Sequence, residues 1–253
     1  MRNLFERPIV IFASYFSLNP NSNGMNWKQF FTSSVGKKFI MSLTGISLIL
    51  FLVVHVGLNA CIFAGDGGVM FNKAAHFMGS TVVTRILEIG LFLGIILHIV
   101  QGLVLAADNN TKRGQAYAVS YGNRGSKWYS RSMGLLGTLV LLFLIMHISH
   151  FWVPSRITGL DPVDLPNGQE VHNLYGKMLA VFQGSLLVVV LYVLGCISLL
   201  YHLLHGFQSA FRTLGLRNSK YLALVQGIGF WFSVIVCAGF ALMPISMYLG
   251  WVK

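Results

Sequence analysis

Eight histidines occur in this chain of 253 residues, and five of them fall inside long apolar runs: His55, His98, His147, His202 and His205. A sixth, His150, stands near the end of such a run in "FLIMHISHFWVP". Ionisable side chains at this depth are costly and mark functional sites. Imidazole there can ligate a metal or relay protons. A proton relay wants carboxylates among the histidines, and the apolar interiors hold almost none. A zinc or copper site gathers its ligands into one cluster, whereas these histidines fall at two depths.

The elements that carry them follow from composition. The chain is 55% hydrophobic and 10% charged, against about 25% charge in a soluble domain. Its 18 Lys and Arg against 7 Asp and Glu give a net charge of +11. The cations lie between apolar runs, the membrane pattern rather than the nucleic-acid one. A helix needs roughly 20 apolar residues to cross a bilayer. Five segments qualify: about 39–63, 82–107, 133–153, 178–211 and 221–252. Thirteen cations fall on the N-terminal side and in the loops 108–132 and 212–220, and five on the other side. The positive-inside rule then predicts a cytoplasmic N-terminus and an external C-terminus. The first 35 residues are expected on the cytoplasmic surface or against a partner, with no cleavable signal peptide. Cys61, Cys196 and Cys237 form no CxxC pair and read as small core residues. The expectation is one all-α integral membrane domain over residues 1–253.

Counting from each exit places the histidines. His55 lies eight residues before Phe63 and His147 six before Val153, on spans running outward; His98 lies nine before Ala107 and His202 nine before Phe211, on spans running inward. At 1.5 Å per residue each sits roughly 9–14 Å from its exit surface. Spans one and three thus offer a pair near the outside, and spans two and four a pair near the inside. Two facing imidazoles are what a six-coordinate haem iron requires, leaving no open position for substrate. Such a centre suits electron transfer, and two of them stacked across the bilayer would form a wire.

His202 and His205 point about 60° apart on a helix, so one haem cannot use both. Gly206 follows His202 at four residues, as Gly102 follows His98. A flat macrocycle against a helix needs a missing side chain beside its ligand, which selects His202. His205 is left as a neighbour of the ligand or of the haem carboxylates, or as an interfacial histidine. His147, a turn deeper than His150, is the expected third-span ligand. Lys37, Lys38, Arg131 and Arg212 could pair with propionates of an inner haem, or serve as topology signals.

One histidine in each of spans one to four, with none in the fifth, resembles the single-subunit dihaem cytochrome b of bacterial succinate dehydrogenases and fumarate reductases. The resemblance rests on "SLTGISLILFLVVHVGLNACIF", "FNKAAHFMGS", "LEIGLFLGIILHIVQGLVLAA", "TLVLLFLIMHISHFW" and "YHLLHGFQSAFRTLG". It covers roughly residues 35 to 250. Gly206 and Gly215 stand at the family's spacing after His202. The resemblance implies a bundle enclosing two haems b, the inner held by His98 and His202 and the outer by His55 and His147. It implies a membrane anchor in the bacterial inner membrane, part of respiratory complex II and the tricarboxylic acid cycle. Its partners would be a flavoprotein subunit carrying FAD and an iron–sulfur subunit at the cytoplasmic face, with menaquinone and lipid in the membrane and no nucleic acid. His76, in an external loop, is not counted as a ligand. Among the polar groups near the outer haem, Asp66, His76, Arg85 and Glu88, the carboxylate of Glu88 is the candidate for quinone proton exchange. An ion pair with Arg85, three residues earlier, is its competing role.

Two rival functions remain at this stage. One is the cytochrome b subunit of another quinone-linked respiratory enzyme, which typically places its histidines on fewer helices. The other is a haem-free transporter using buried histidines.

Overall fold

The computed structural model describes residues 32–113, 127–216 and 218–252. The protein is an all-α integral membrane protein, and among the described residues five helices are long and apolar enough to cross a membrane. Helix α1 (Ser34–Asn59) starts at Ser33, whose hydroxyl accepts from the Gly36 amide at 3.0 Å, satisfying one of the unpaired amides of the first turn. It tightens into a 3-10 turn at Ala60–Ala64 and stops at Gly65, in the left-handed region at φ 71°, where glycine carries no steric cost. A short helix, α2 (Val69–Ser80), leads into α3 (Val82–Arg113). After the single turn α4 (Trp128–Arg131) comes α5 (Met133–His147), which continues through π-turns at Ile148–Trp152 and Pro154–Thr158. The antiparallel strands β1 (Pro162–Asp164) and β2 (Glu170–His172) pair Val163 with Val171. Helices α6 (Leu174–Gln183), α7 (Leu186–Thr213) and α8 (Ser219–Tyr248) complete the chain.

The first span runs Ser34–Ala64 and the fifth Ser219–Tyr248, against the expected 39–63 and 221–252, and two further changes bear on the site. The fourth begins at Leu186 and not at 178, because Ser185 is extended at φ −157°, ψ 115° and separates α6 from α7. The interruption is polar: the Gln183 amide donates to the Met247 carbonyl at 3.2 Å. The third span runs on to Thr158 rather than ending at 153, so His150 lies well inside it. The expected surface segment over the first 35 residues, and the basic residues Arg2, Arg7, Lys28, Arg124, Arg217 and Lys253, fall outside the described residues except for positions 32–35.

Helices α1, α3, α5 and α7 form a ring of four, each packed on the next, α7 returning to α1; α8 lies outside against α7 and α1. Close approach depends on small residues, as expected where no hydrophobic force separates helix from lipid. A Cβ on Gly195 would enter the Phe143 ring, and one on Gly229 would lie 2.7 Å from Phe207 Cδ1. Leu93, Ile96, Leu97, Leu142, Ile145 and Leu194 are exposed and present the apolar surface a bilayer covers.

The two ends differ. At one, α2, the hairpin and α6 make a cap over the ring, and the main apolar cluster joins it through Ile62, Phe71, Tyr175, Phe182, Tyr192 and Met247. Buried Asn72 fastens the cap: its amide nitrogen donates to Asn173 Oδ1 at 3.3 Å and its oxygen accepts from the Tyr175 amide at 2.9 Å. At the other, basic end, Lys37 pairs with Asp108 at 2.8 Å, tying the start of α1 to α3.

Candidate functional site: two histidine pairs across the bundle

The four histidines expected from depth meet in two pairs. Ring centroids of His55 and His147 are 5.8 Å apart at an interplanar angle of 86°; those of His98 and His202 are 6.2 Å apart at 66°. His55 is on α1 and His147 on α5, and His98 on α3 and His202 on α7. Each pair therefore spans a diagonal of the ring of four, between helices that are not neighbours. The first lies toward the cap and the second toward the basic end.

Metal–imidazole bonds of about 2 Å on opposite sides of one atom place the two ring centroids about 6 Å apart. Both pairs have that spacing. Among the described residues no three His, Cys, Asp or Glu gather into one site. Two donors per site suit an iron whose other positions a porphyrin fills. His147 Nδ1 and His202 Nδ1 are buried and have no hydrogen-bond partner among the described residues, a situation that calls for an explanation beyond packing.

The inner surroundings fit a flat group. Nothing lies within 4 Å of a Cβ placed on Gly206, while at Gly102 the tip of Met41 sits at 3.4 Å. The clearance expected of both glycines is open at Gly206, and at Gly102 a flexible thioether occupies it. Two further glycines were not singled out from the sequence. A Cβ on Gly45 would meet His98 Cε1 at 3.6 Å, and one on Gly137 would meet His202 Cε1 at 3.8 Å. Each precedes a histidine of the other pair, His55 or His147, by ten residues. Ten residues of helix rise about 15 Å, so that spacing measures the separation of the two layers.

The imidazoles differ in what holds them. The Thr44 hydroxyl donates to the Ile40 carbonyl at 2.9 Å and lies 3.1 Å from His98 Nδ1. With its proton committed, it accepts from Nδ1–H, which leaves Nε2 as the free lone pair. At His55 the neighbour is the Asn59 amide nitrogen, 3.3 Å from Nδ1 and 2.8 Å from the His55 carbonyl. The His55 ring stacks on Phe51 at 5.1 Å and lies 5.3 Å from Phe240.

Glu88 is at the cap end of α3. The Arg85 pair is present at 3.2 Å, and two more donors come from α5: Trp152 Nε1 at 2.6 Å and Arg156 Nε at 3.2 Å on Oε1. Arg156 also occupies the space beside Gly79, with Nη1 2.9 Å from where a Cβ would be. Asp66 caps α2 by accepting from the Gly68 and Met70 amides. His76 lies in the cap, 3.1 Å from the Gln169 amide. His150 is held by Tyr192, with Nδ1 3.0 Å from the phenol oxygen. Cys61, Cys196 and Cys237 are free thiols.

Fold and site together define a class: a membrane-spanning helical bundle whose two cross-bundle histidine pairs are each spaced for one metal atom. Within it, the chain is 28% identical over 184 residues to the succinate dehydrogenase cytochrome b558 subunit of Bacillus subtilis (strain 168), an alignment covering 70% of this chain and 81% of that protein. No family model matches the chain, and no solved structure matches it.

Proposed function

We propose that this chain is the membrane-anchor cytochrome b of a succinate:quinone oxidoreductase, of the succinate dehydrogenase or fumarate reductase kind, holding two haems b. His98 and His202 hold the inner haem and His55 and His147 the outer. Held by two imidazoles each, the haems would supply one-electron transfer. The observation that carries the reading is the pair of ring separations, 5.8 and 6.2 Å, on the two diagonals of one bundle. The similarity to a named cytochrome b558 subunit supports it.

The protein's own groups have distinct tasks. Thr44 keeps the His98 Nε2 lone pair free. Gly45, Gly137 and Gly206 keep bulk away from the inner pair, and the packed spans exclude water from both. The N-terminus faces the cytoplasm of a bacterial inner membrane, so the basic end receives the iron–sulfur subunit and, through it, the flavoprotein. Menaquinone reacts at the cap end. There Glu88, held by Trp152, Arg156 and Arg85, is the group for proton exchange.

The test is pyridine haemochrome quantitation per polypeptide on the purified complex, together with identification of the subunits that co-purify. Two haems b per chain, with flavoprotein and iron–sulfur subunits, are expected. A colourless chain, or a single haem, would overturn the proposal. A different partner dehydrogenase would move the chain to another quinone-linked cytochrome b.

A further inference from the structure

Among the described residues His147 has no hydrogen-bond partner for Nδ1, and packing sets the plane of its ring. Three aromatic rings do this: Phe143 at 5.8 Å, Phe151 at 5.4 Å and Tyr192 at 6.1 Å, the last edge-on at 60°. Of the three, only Tyr192 is tied down by a polar bond. It is 5% exposed, on α7, and its hydroxyl lies 3.0 Å from His150 Nδ1. The His150 and Tyr192 rings stack at 5.9 Å and 7°. Tyr192 also braces against Phe143, Phe151 and Phe182 at 5.2, 6.2 and 4.9 Å.

Local backbone makes this contact possible. The α-helix ends at His147 and a π-turn begins at Ile148. The wider turn rotates His150 away from the offset an α-helix would give it, and π-turns of this kind gather at functional positions. A hydroxyl buried among phenylalanines is costly unless it is bonded, and His150 supplies the bond.

We propose that Tyr192 and His150 are positioning residues for His147: their hydrogen bond fixes the Tyr192 ring, and that ring fixes the plane of the His147 imidazole. The inference rests on the reading of His55 and His147 as the outer haem pair. The angle it maintains is the near-perpendicular 86° between the two ring planes. The axial ring planes set the orbital energies of a low-spin iron, so their angle is read directly in the paramagnetic resonance spectrum. Groups beyond the first ligands commonly tune a metal centre in this way.

The experiment uses the intact complex and records the ferric low-spin signals and midpoint potentials of both haems. Tyr192→Phe deletes one hydroxyl and keeps the ring. It is expected to shift the outer signal toward lower anisotropy, and the outer potential with it, leaving the inner haem unchanged. His150→Leu should give the same shift, and the double variant no more than either, as for two residues acting through one bond. His150→Asn, whose amide reaches the position of Nδ1, should restore the original signal. An unshifted outer signal in Tyr192→Phe, or shifts that simply add, would overturn the proposal. Absence of an outer haem signal from the unaltered complex would instead overturn the haem assignment beneath it.

Discussion

The two histidine pairs are built alike in backbone and differently in detail. In the pair near the basic end, Thr44 accepts from His98 Nδ1 and the Nε2 lone pair is set in advance. In the pair near the cap, an amide nitrogen faces His55 Nδ1. A nitrogen donor there makes Nδ1 the acceptor and puts the ring proton on Nε2, the nitrogen a metal needs. Loading this pair therefore requires that hydrogen bond to open. The lesson is that equal ring spacing does not mean equal readiness: in one pair a hydroxyl fixes the tautomer of His98, while the other is held by aromatic packing from Phe51, Phe143, Phe151, Phe240 and Tyr192.

The largest test of the comparison removes a ligand from one layer. His202→Ala should take haem content from two per chain to one and leave the outer spectrum intact, and His147→Ala should do the reverse. Loss of both haems from either variant would mean the layers are a single unit. Next comes the hydroxyl. Thr44→Val leaves the His98 Nδ1 proton without an acceptor, at a cost of about 1–1.5 kcal/mol for a buried hydrogen bond. Inner haem affinity should fall about tenfold, measured by haem transfer to an acceptor protein. Asn59→Ala should weaken the outer haem by a smaller factor, because the native amide is not poised to accept; an equal or larger loss would erase the distinction between the pairs.

The smallest effect on either haem is expected from Glu88→Gln. The amide oxygen still accepts from Trp152, and only the charge toward half-exposed Arg85 and the more buried Arg156 is lost, a pairing of modest strength where water can reach it. Haem content should stay at two. Quinone turnover should fall by about 100-fold if the carboxylate exchanges the proton; unchanged turnover would reduce Glu88 to an anchor for Arg156.

Much of the site was legible because it depends on local regularities. The length of an apolar run and the rise of a helix gave five spans and placed His55 with His147 and His98 with His202. Gly45 and Gly137 were within reach too, since each stands ten residues before an expected ligand, but a glycine on an apolar helix carries no chemical signal of its own. The start of the fourth span was misjudged where Gln183, Gly184 and Ser185 interrupt an otherwise apolar run, because the Gln183 amide of this short polar break finds its acceptor in a distant carbonyl, that of Met247.

What the sequence determined by itself was the number of spans, their alternating direction and the depth of each imidazole, all properties of one helix in an apolar solvent. What only the tertiary structure decided was the cyclic order of the four helices, which puts each pair on a diagonal, and the identity of every side chain that holds a site residue from outside its own helix. Thr44 reaches His98 across 54 positions of chain, and Trp152 and Arg156 reach Glu88 across 64 and 68. Helical period says which face a residue is on; which neighbour covers that face depends on how all the helices pack at once.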